Sequence, residues 1–112
     1  KQIEKKDFIS KLGLDYVTCS YPTTTINDAA ALIQKLDIII SPDTSIVHIA
    51  ASFDIPTVSI HENNKDSYRL WSPTSSLHKT IFAENTYGIK NYSVHDVIKS
   101  TTELLKIIEL EK

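Results

Sequence analysis

The run Asp37-Ile38-Ile39-Ile40-Ser41 constrains this chain more than any other feature, because Pro42-Asp43-Thr44-Ser45 and a helical stretch follow it at once. Three successive β-branched residues do not alternate between core and water, so the strand they form suits a sheet covered on both faces, as parallel sheets are. Residues 44–53 show helical spacing, and Ile55-Pro56 then leads into a second β-prone run, Thr57-Val58-Ser59-Ile60. Strand, helix and strand joined by short connections make a βαβ unit, whose crossover is right-handed.

The flanking segments extend that pattern. Residues 2–12 predict a helix, with Ile3, Phe8, Ile9 and Leu12 on one side and Gly13 placed to end it in a left-handed conformation. Residues 16–20 form a short β-prone run. Thr25 or Asn27 is placed to cap a second helix, whose apolar stripe is Ile26, Ala29, Ala30, Leu32, Ile33 and Leu36. Residues 80–83 predict one further short strand, and residues 94–110 a closing helix carrying Val97, Ile98, Leu104, Leu105, Ile107 and Ile108. The expected fold class is therefore α/β, a doubly wound parallel sheet of Rossmann-like type. Three or four strands are few for such a sheet, and the chain opens at Lys1 inside a charged helical run. Residues 1–112 are thus expected to form one domain truncated at its N-terminus.

Composition narrows the function classes. A net charge of −2 offers no basic footprint for nucleic acid. No apolar stretch nears the roughly 18 residues of a membrane span, and the charged start has no signal-peptide core. The single Cys19 excludes an internal disulfide, and its apolar-leaning neighbours predict a buried structural thiol. His61, Glu62, His78 and His95 lack metal-ligand spacing, so no metal site is expected. Lys65 and Arg69 read as solvated loop charges.

In open α/β sheets, ligands bind where strands end and helices begin. The turn Ser41-Pro42-Asp43-Thr44-Ser45 occupies that place. Amides in a helix's first turn carry partial positive charge and suit a phosphate or diphosphate. Thr44 and Ser45 add hydroxyl donors, and His48 follows Thr44 by one turn, within reach of the same anion. Ile46, Ile49, Ala50 and Phe53 are expected to hold the helix to the sheet. A second reading stays open: Asp43 or Thr44 acts only as a helix cap, and His48 sits at the helix–sheet seam.

At this point the stretch from Asp37 through the His48-Ile49-Ala50-Ala51 quartet to Ile60 resembles the signature segment of the lipopolysaccharide heptosyltransferases, glycosyltransferase family 9. That segment reads strand, Asp-Thr-Gly or Asp-Thr-Ser, two residues, His-Leu-Ala-Ala, then Pro and another strand. The resemblance runs roughly over residues 16–73 and includes Trp71-Ser72-Pro73. It implies the C-terminal, donor-binding half of a two-domain GT-B enzyme, with the acceptor domain absent. It also implies a donor site in which Asp43 contacts sugar hydroxyls, Thr44 and Ser45 hold the diphosphate, His48 lies against the same phosphates, and Thr24 and Thr25 line the nucleoside side. Glu4 falls near the place of a ribose-binding carboxylate. Two departures stand out: Ser45 where many members carry Gly, and His61-Glu62-Asn63-Asn64-Lys65-Asp66 where a Gly-Pro-Thr loop is usual. Trp71 is expected to pack beneath that loop.

The function so implied is transfer of a sugar, heptose, from a nucleotide-diphosphate donor, ADP-heptose, to a lipopolysaccharide core acceptor, with no metal or other cofactor. Such a protein works in the cytoplasm and meets the inner membrane only through its lipid acceptor. No catalytic residue is expected within these residues; the base that deprotonates the acceptor belongs to the absent domain. Two alternatives are a non-catalytic α/β scaffold or binding domain, and a GT-B sugar-nucleotide epimerase that prefers a uridine nucleotide.

Overall fold

The computed structural model describes residues 2–64, 75–84, 89 and 91–111, with side chains from Asp7 onward. Four helices and three strands occur among them: α1 Gln2–Lys11, α2 Ile26–Gln34, β1 Ile39–Pro42, α3 Ser45–Ser52, β2 Thr57–His61, β3 His78–Phe82 and α4 Val94–Glu111. The strands form one parallel sheet in the order β1-β2-β3. Ile39 pairs with Thr57 and Pro42 with Ile60 across the first ladder; Thr57 pairs with His78 and His61 with Phe82 across the second. The α/β class and the parallel sheet follow the sequence reading.

Helices cover both faces of β2, so its alternate side chains enter two different layers. Val58 and Ile60 point one way, into a cluster with Ile81 of β3 and Leu104 of α4. On the other face Ile33 of α2, Ala50 of α3 and Ile55 form a second cluster, joined by the half-buried Leu36, Ile39, Ile46 and Ile49. Helix α3 lies against the sheet through Val47 and Ala50, both 0% exposed. The expected anchor Phe53 instead caps the helix C-terminus and is 40% exposed. The α3 exit is fixed by Asp54, left-handed at φ 54°. Its carboxylate accepts from the backbone N–H of Ser76 at 2.7 Å and from the Ser76 hydroxyl at 3.1 Å, joining the end of α3 to the approach to β3.

Several expectations are corrected. Strand β1 begins at Ile39, not Asp37, and among the described residues it is an edge strand, with α4 packing mainly over β2 and β3. Ile40 therefore stays 50% exposed on a face expected to be covered. Residues 16–20 form no strand; a β-prone composition yields a strand only where a ladder partner is in reach. Cys19, on that segment, is consequently exposed instead of buried. Gly13 does end α1 at φ +64° as read, and the strand expected at residues 80–83 starts two residues earlier, at His78.

Candidate functional site

Three helix N-termini open at one edge of the sheet. Helix α3 starts where β1 ends, α4 follows the end of β3, and α2, which runs beside α3 and feeds the start of β1, begins at that same carboxyl edge. Each mouth is finished by a hydroxyl. Thr25 caps α2 in a reciprocal box: its hydroxyl accepts from Asp28 N–H at 3.1 Å, while Asp28 Oδ2 accepts from Thr25 N–H at 3.3 Å. The same carboxylate oxygen takes the Thr24 N–H at 3.2 Å and the Thr24 hydroxyl at 3.0 Å, which holds the Asp28 pKa below its ordinary value. Thr44 caps α3, its Oγ1 accepting from Ile46 N–H at 3.2 Å. Ser93 does the same for α4, accepting from Asp96 N–H at 3.1 Å.

The two readings of the Asp43–His48 turn are thus partly joined. Thr44 is a helix cap, yet a hydroxyl that accepts through a lone pair keeps its proton to donate elsewhere. Ser45, the first residue of α3, is exposed. His48 is exposed too, so it does not lie at the helix–sheet seam. Thr24 and Thr25 stand at the mouth of the neighbouring helix, both exposed.

Asp43 is the best-fixed member of the set. Its backbone N–H donates to Ile60 O at 2.9 Å, continuing the β1–β2 pairing past Pro42. Its carboxylate Oδ2 lies 3.3 Å from Nδ1 of His61, a residue that the sequence reading had left in a loop. His61 is the last residue of β2, on the face shared with Thr57 and Ser59, and its side chain is 2% exposed. The other ring nitrogen, Nε2, lies 2.8 Å from the Ser59 hydroxyl. Burial is the main force on this imidazole and lowers its pKa, with His48 adding in the same direction and Asp43 opposing both. In the neutral ring one arrangement satisfies both contacts: Nδ1–H donates to Asp43, and Nε2 accepts from Ser59. Serine, histidine and aspartate in this order would suggest a nucleophilic relay, but Ser59 is 0% exposed and no substrate reaches it.

The signal for His61 was present in the alternation Thr57, Ser59, His61 against Val58 and Ile60. Extending that period by one residue past Ile60 places the imidazole opposite the turn after β1. His78 and His95 do not join the site: His78 Nδ1 meets Ser75 O at 2.9 Å, and the exposed His95 sits near Asp96. Among the described residues, no three His, Cys, Asp or Glu side chains gather as a metal site. An open depression of about 460 Å3 lies between the end of α1 and residues 13–19, lined by Ile9, Leu14, Val17 and Cys19 and by none of the site residues above. Lys65, Arg69 and Trp71, and the side chain of Glu4, lie outside the described residues.

Comparison with known proteins places this geometry. The model of glycosyltransferase family 9 (heptosyltransferase) matches residues 13–99, well over half of the chain. A protein of Escherichia coli (strain K12) named "Putative lipopolysaccharide heptosyltransferase 4" is 34% identical over 79 residues, which cover 66% of this chain and 22% of that protein. The chain thus spans under a quarter of the length of the curated relative it matches. No solved structure matches it at a significant level.

Proposed function

The chain belongs to glycosyltransferase family 9 (heptosyltransferase), and on that premise we propose that it is the nucleotide-sugar-binding part of a sugar transferase. In this reading residues 1–112 belong to the C-terminal half of a GT-B enzyme, whose acceptor domain lies elsewhere in a longer protein. The donor is ADP-heptose and the acceptor a lipopolysaccharide core; the name of the Escherichia coli relative, "Putative lipopolysaccharide heptosyltransferase 4", supports the heptose and the lipopolysaccharide. The observation that carries the proposal is the mouth of α3, where exposed Ser45 and His48 and the fixed Asp43 surround amides at the carboxyl edge of the sheet.

Each residue then has a physical role. The first-turn amides and the hydroxyls of Thr44 and Ser45 hold the diphosphate, where the helix dipole favours negative charge. His48 donates to the same anion and stabilises the charge that grows on it as the sugar departs. A carboxylate repels phosphate but accepts from hydroxyls, so Asp43 serves the sugar. Thr24 and Thr25, at the adjoining mouth of α2, serve the nucleoside. The amide and hydroxyl donors neutralise the diphosphate without a metal, and the catalytic base is supplied by the acceptor domain. The parent protein works in the cytoplasm, peripheral to the inner membrane through its lipid substrate. No helix among the described residues is long and apolar enough to cross a membrane.

Titrating ADP into the chain while following the His48 ring resonances tests this. A saturable shift is expected at millimolar ADP, with no transferase turnover by the 112 residues alone. A weaker response to UDP separates this reading from that of a uridine-preferring epimerase. One observation favours the scaffold reading: the hydroxyl proton of Thr24 is already given to Asp28. A His48 ring silent to millimolar ADP would select it.

A further inference from the structure

The face of β2 that packs under α3 is polar where an apolar row would be the default. Thr57, Ser59 and His61 are all buried there, at 0%, 0% and 2% exposure. Buried polar groups persist only when hydrogen-bonded, and each of these is. Thr57 Oγ1 donates to Ile55 O at 2.7 Å, and Ser59 and His61 meet at 2.8 Å. His61 carries this row to the surface, since its Nδ1 ends 3.3 Å from Asp43, whose side chain is 32% exposed. The ring is restrained from three directions: Ser59 at Nε2, Asp43 at Nδ1, and Phe82, whose ring is tilted by 50° with centroids 6.2 Å apart.

An aspartate in a turn ordinarily samples several rotamers, and fixing one costs conformational entropy when a ligand binds. Here part of that ordering is in place beforehand. The backbone of Asp43 is pinned to Ile60, and one carboxylate oxygen meets a buried ring that is also held at Nε2. Because a carboxylate only accepts, the neutral ring presents Nδ1–H to Asp43, and Nε2 is left to accept from the Ser59 hydroxyl. We propose that His61 is a positioning residue: held by Ser59 and Phe82, it aims the Asp43 carboxylate so that a hydroxyl of the donor sugar meets an acceptor already in place. This rests on the donor-binding reading above and assigns sugar recognition, as distinct from diphosphate recognition, to the pair.

Calorimetric titration of ADP and of ADP-heptose into wild type, His61→Phe and His61→Asn tests the assignment. The asparagine amide can replace Nδ1–H as donor to Asp43; phenylalanine cannot. Wild type should prefer ADP-heptose over ADP. His61→Phe should bind ADP unchanged and lose about tenfold in ADP-heptose affinity, the scale of one hydrogen bond to a charged group, and His61→Asn should recover most of it. Nitrogen-15 spectra of the wild-type ring at neutral pH should show Nδ1 protonated and Nε2 bare, a readout that needs no ligand. Should His61→Phe fail to fold, Ser59→Ala frees the ring and should erode the same preference in part. Absence of ADP binding by wild type overturns the donor-site reading and this one with it. ADP binding with no ADP-heptose preference, a preference indifferent to residue 61, or a ring protonated at Nε2 overturns this one alone.

Discussion

Two of the three helix caps make a matched pair that separates folding from binding. Thr44→Ala removes the bond from Ile46 N–H to Oγ1 at 3.2 Å, and Ser93→Ala removes that from Asp96 N–H at 3.1 Å. Both caps are solvent-exposed, end a helix at the same edge of the sheet and satisfy one first-turn amide. Loss of such a cap costs about 1 kcal/mol, so each variant should lose a factor of about five in its folding equilibrium constant. Urea unfolding should show two similar drops in midpoint with unchanged slopes. Binding should divide them. Ser93 caps α4, on the opposite face of the sheet from α3, and Ser93→Ala should bind ADP as wild type does. Thr44 has a hydroxyl proton left to give to a phosphate, and its loss should weaken ADP by about ten- to a hundredfold, since bonds to charged groups are worth about 1.5–3 kcal/mol. Equal ADP affinity in the two variants, measured by calorimetry where both are folded, would refute the anion-cradle argument and leave Thr44 a cap only.

Two further outcomes test the scaffold. Leu104 is 1% exposed among Val58, Ile60 and Ile81, so Leu104→Ala should cost about 2–5 kcal/mol by urea unfolding. Leu105→Ala, at a position 43% exposed, should stay within about 0.5 kcal/mol of wild type. Acid should weaken the fold in two windows. The lowered pKa of His61 keeps it neutral when folded, so below about pH 6.5 the unfolded chain binds a proton the folded one refuses, and stability falls. The lowered pKa of Asp28 contributes stability above pH 3.8 that is lost as pH falls through its folded value. The first step should vanish in His61→Asn; a wild-type midpoint flat from pH 7.5 to 5.5 would contradict it.

The β1–α3–β2 unit was legible because its signals agree. A β-branched run, a hydroxyl turn and an Ile-Pro exit all specify the same crossover, and Thr44 as cap follows from the same residues. Where one signal stood alone, it misled. Residues 16–20 have β-prone side chains but no paired strand, so propensity produced neither a strand nor a buried Cys19. On α3 the apolar residues surround most of the helix, and spacing did not single out Val47, which the sheet buries completely. His61 was hidden for a different reason. Its imidazole was read as loop chemistry, whereas pairing with Phe82 extends β2 by one residue and turns it inward, toward Asp43. The site residues nearest the sheet were thus readable by position, and the buried partner that orders them only by register.

The chain between β2 and β3 is tied off at both ends by the scaffold. At one end Ala83 N–H reaches His61 O at 2.8 Å; at the other, Thr57 N–H reaches Leu77 O at 3.1 Å, and Asp54 grips Ser76. These ties help to set the strand register. Lengthening a connection between two fixed points adds little closure entropy, about 0.6 kcal/mol per doubling. This stretch, which begins where a Gly-Pro-Thr loop is usual in the family, can therefore vary in length and sequence at small cost to the sheet beneath.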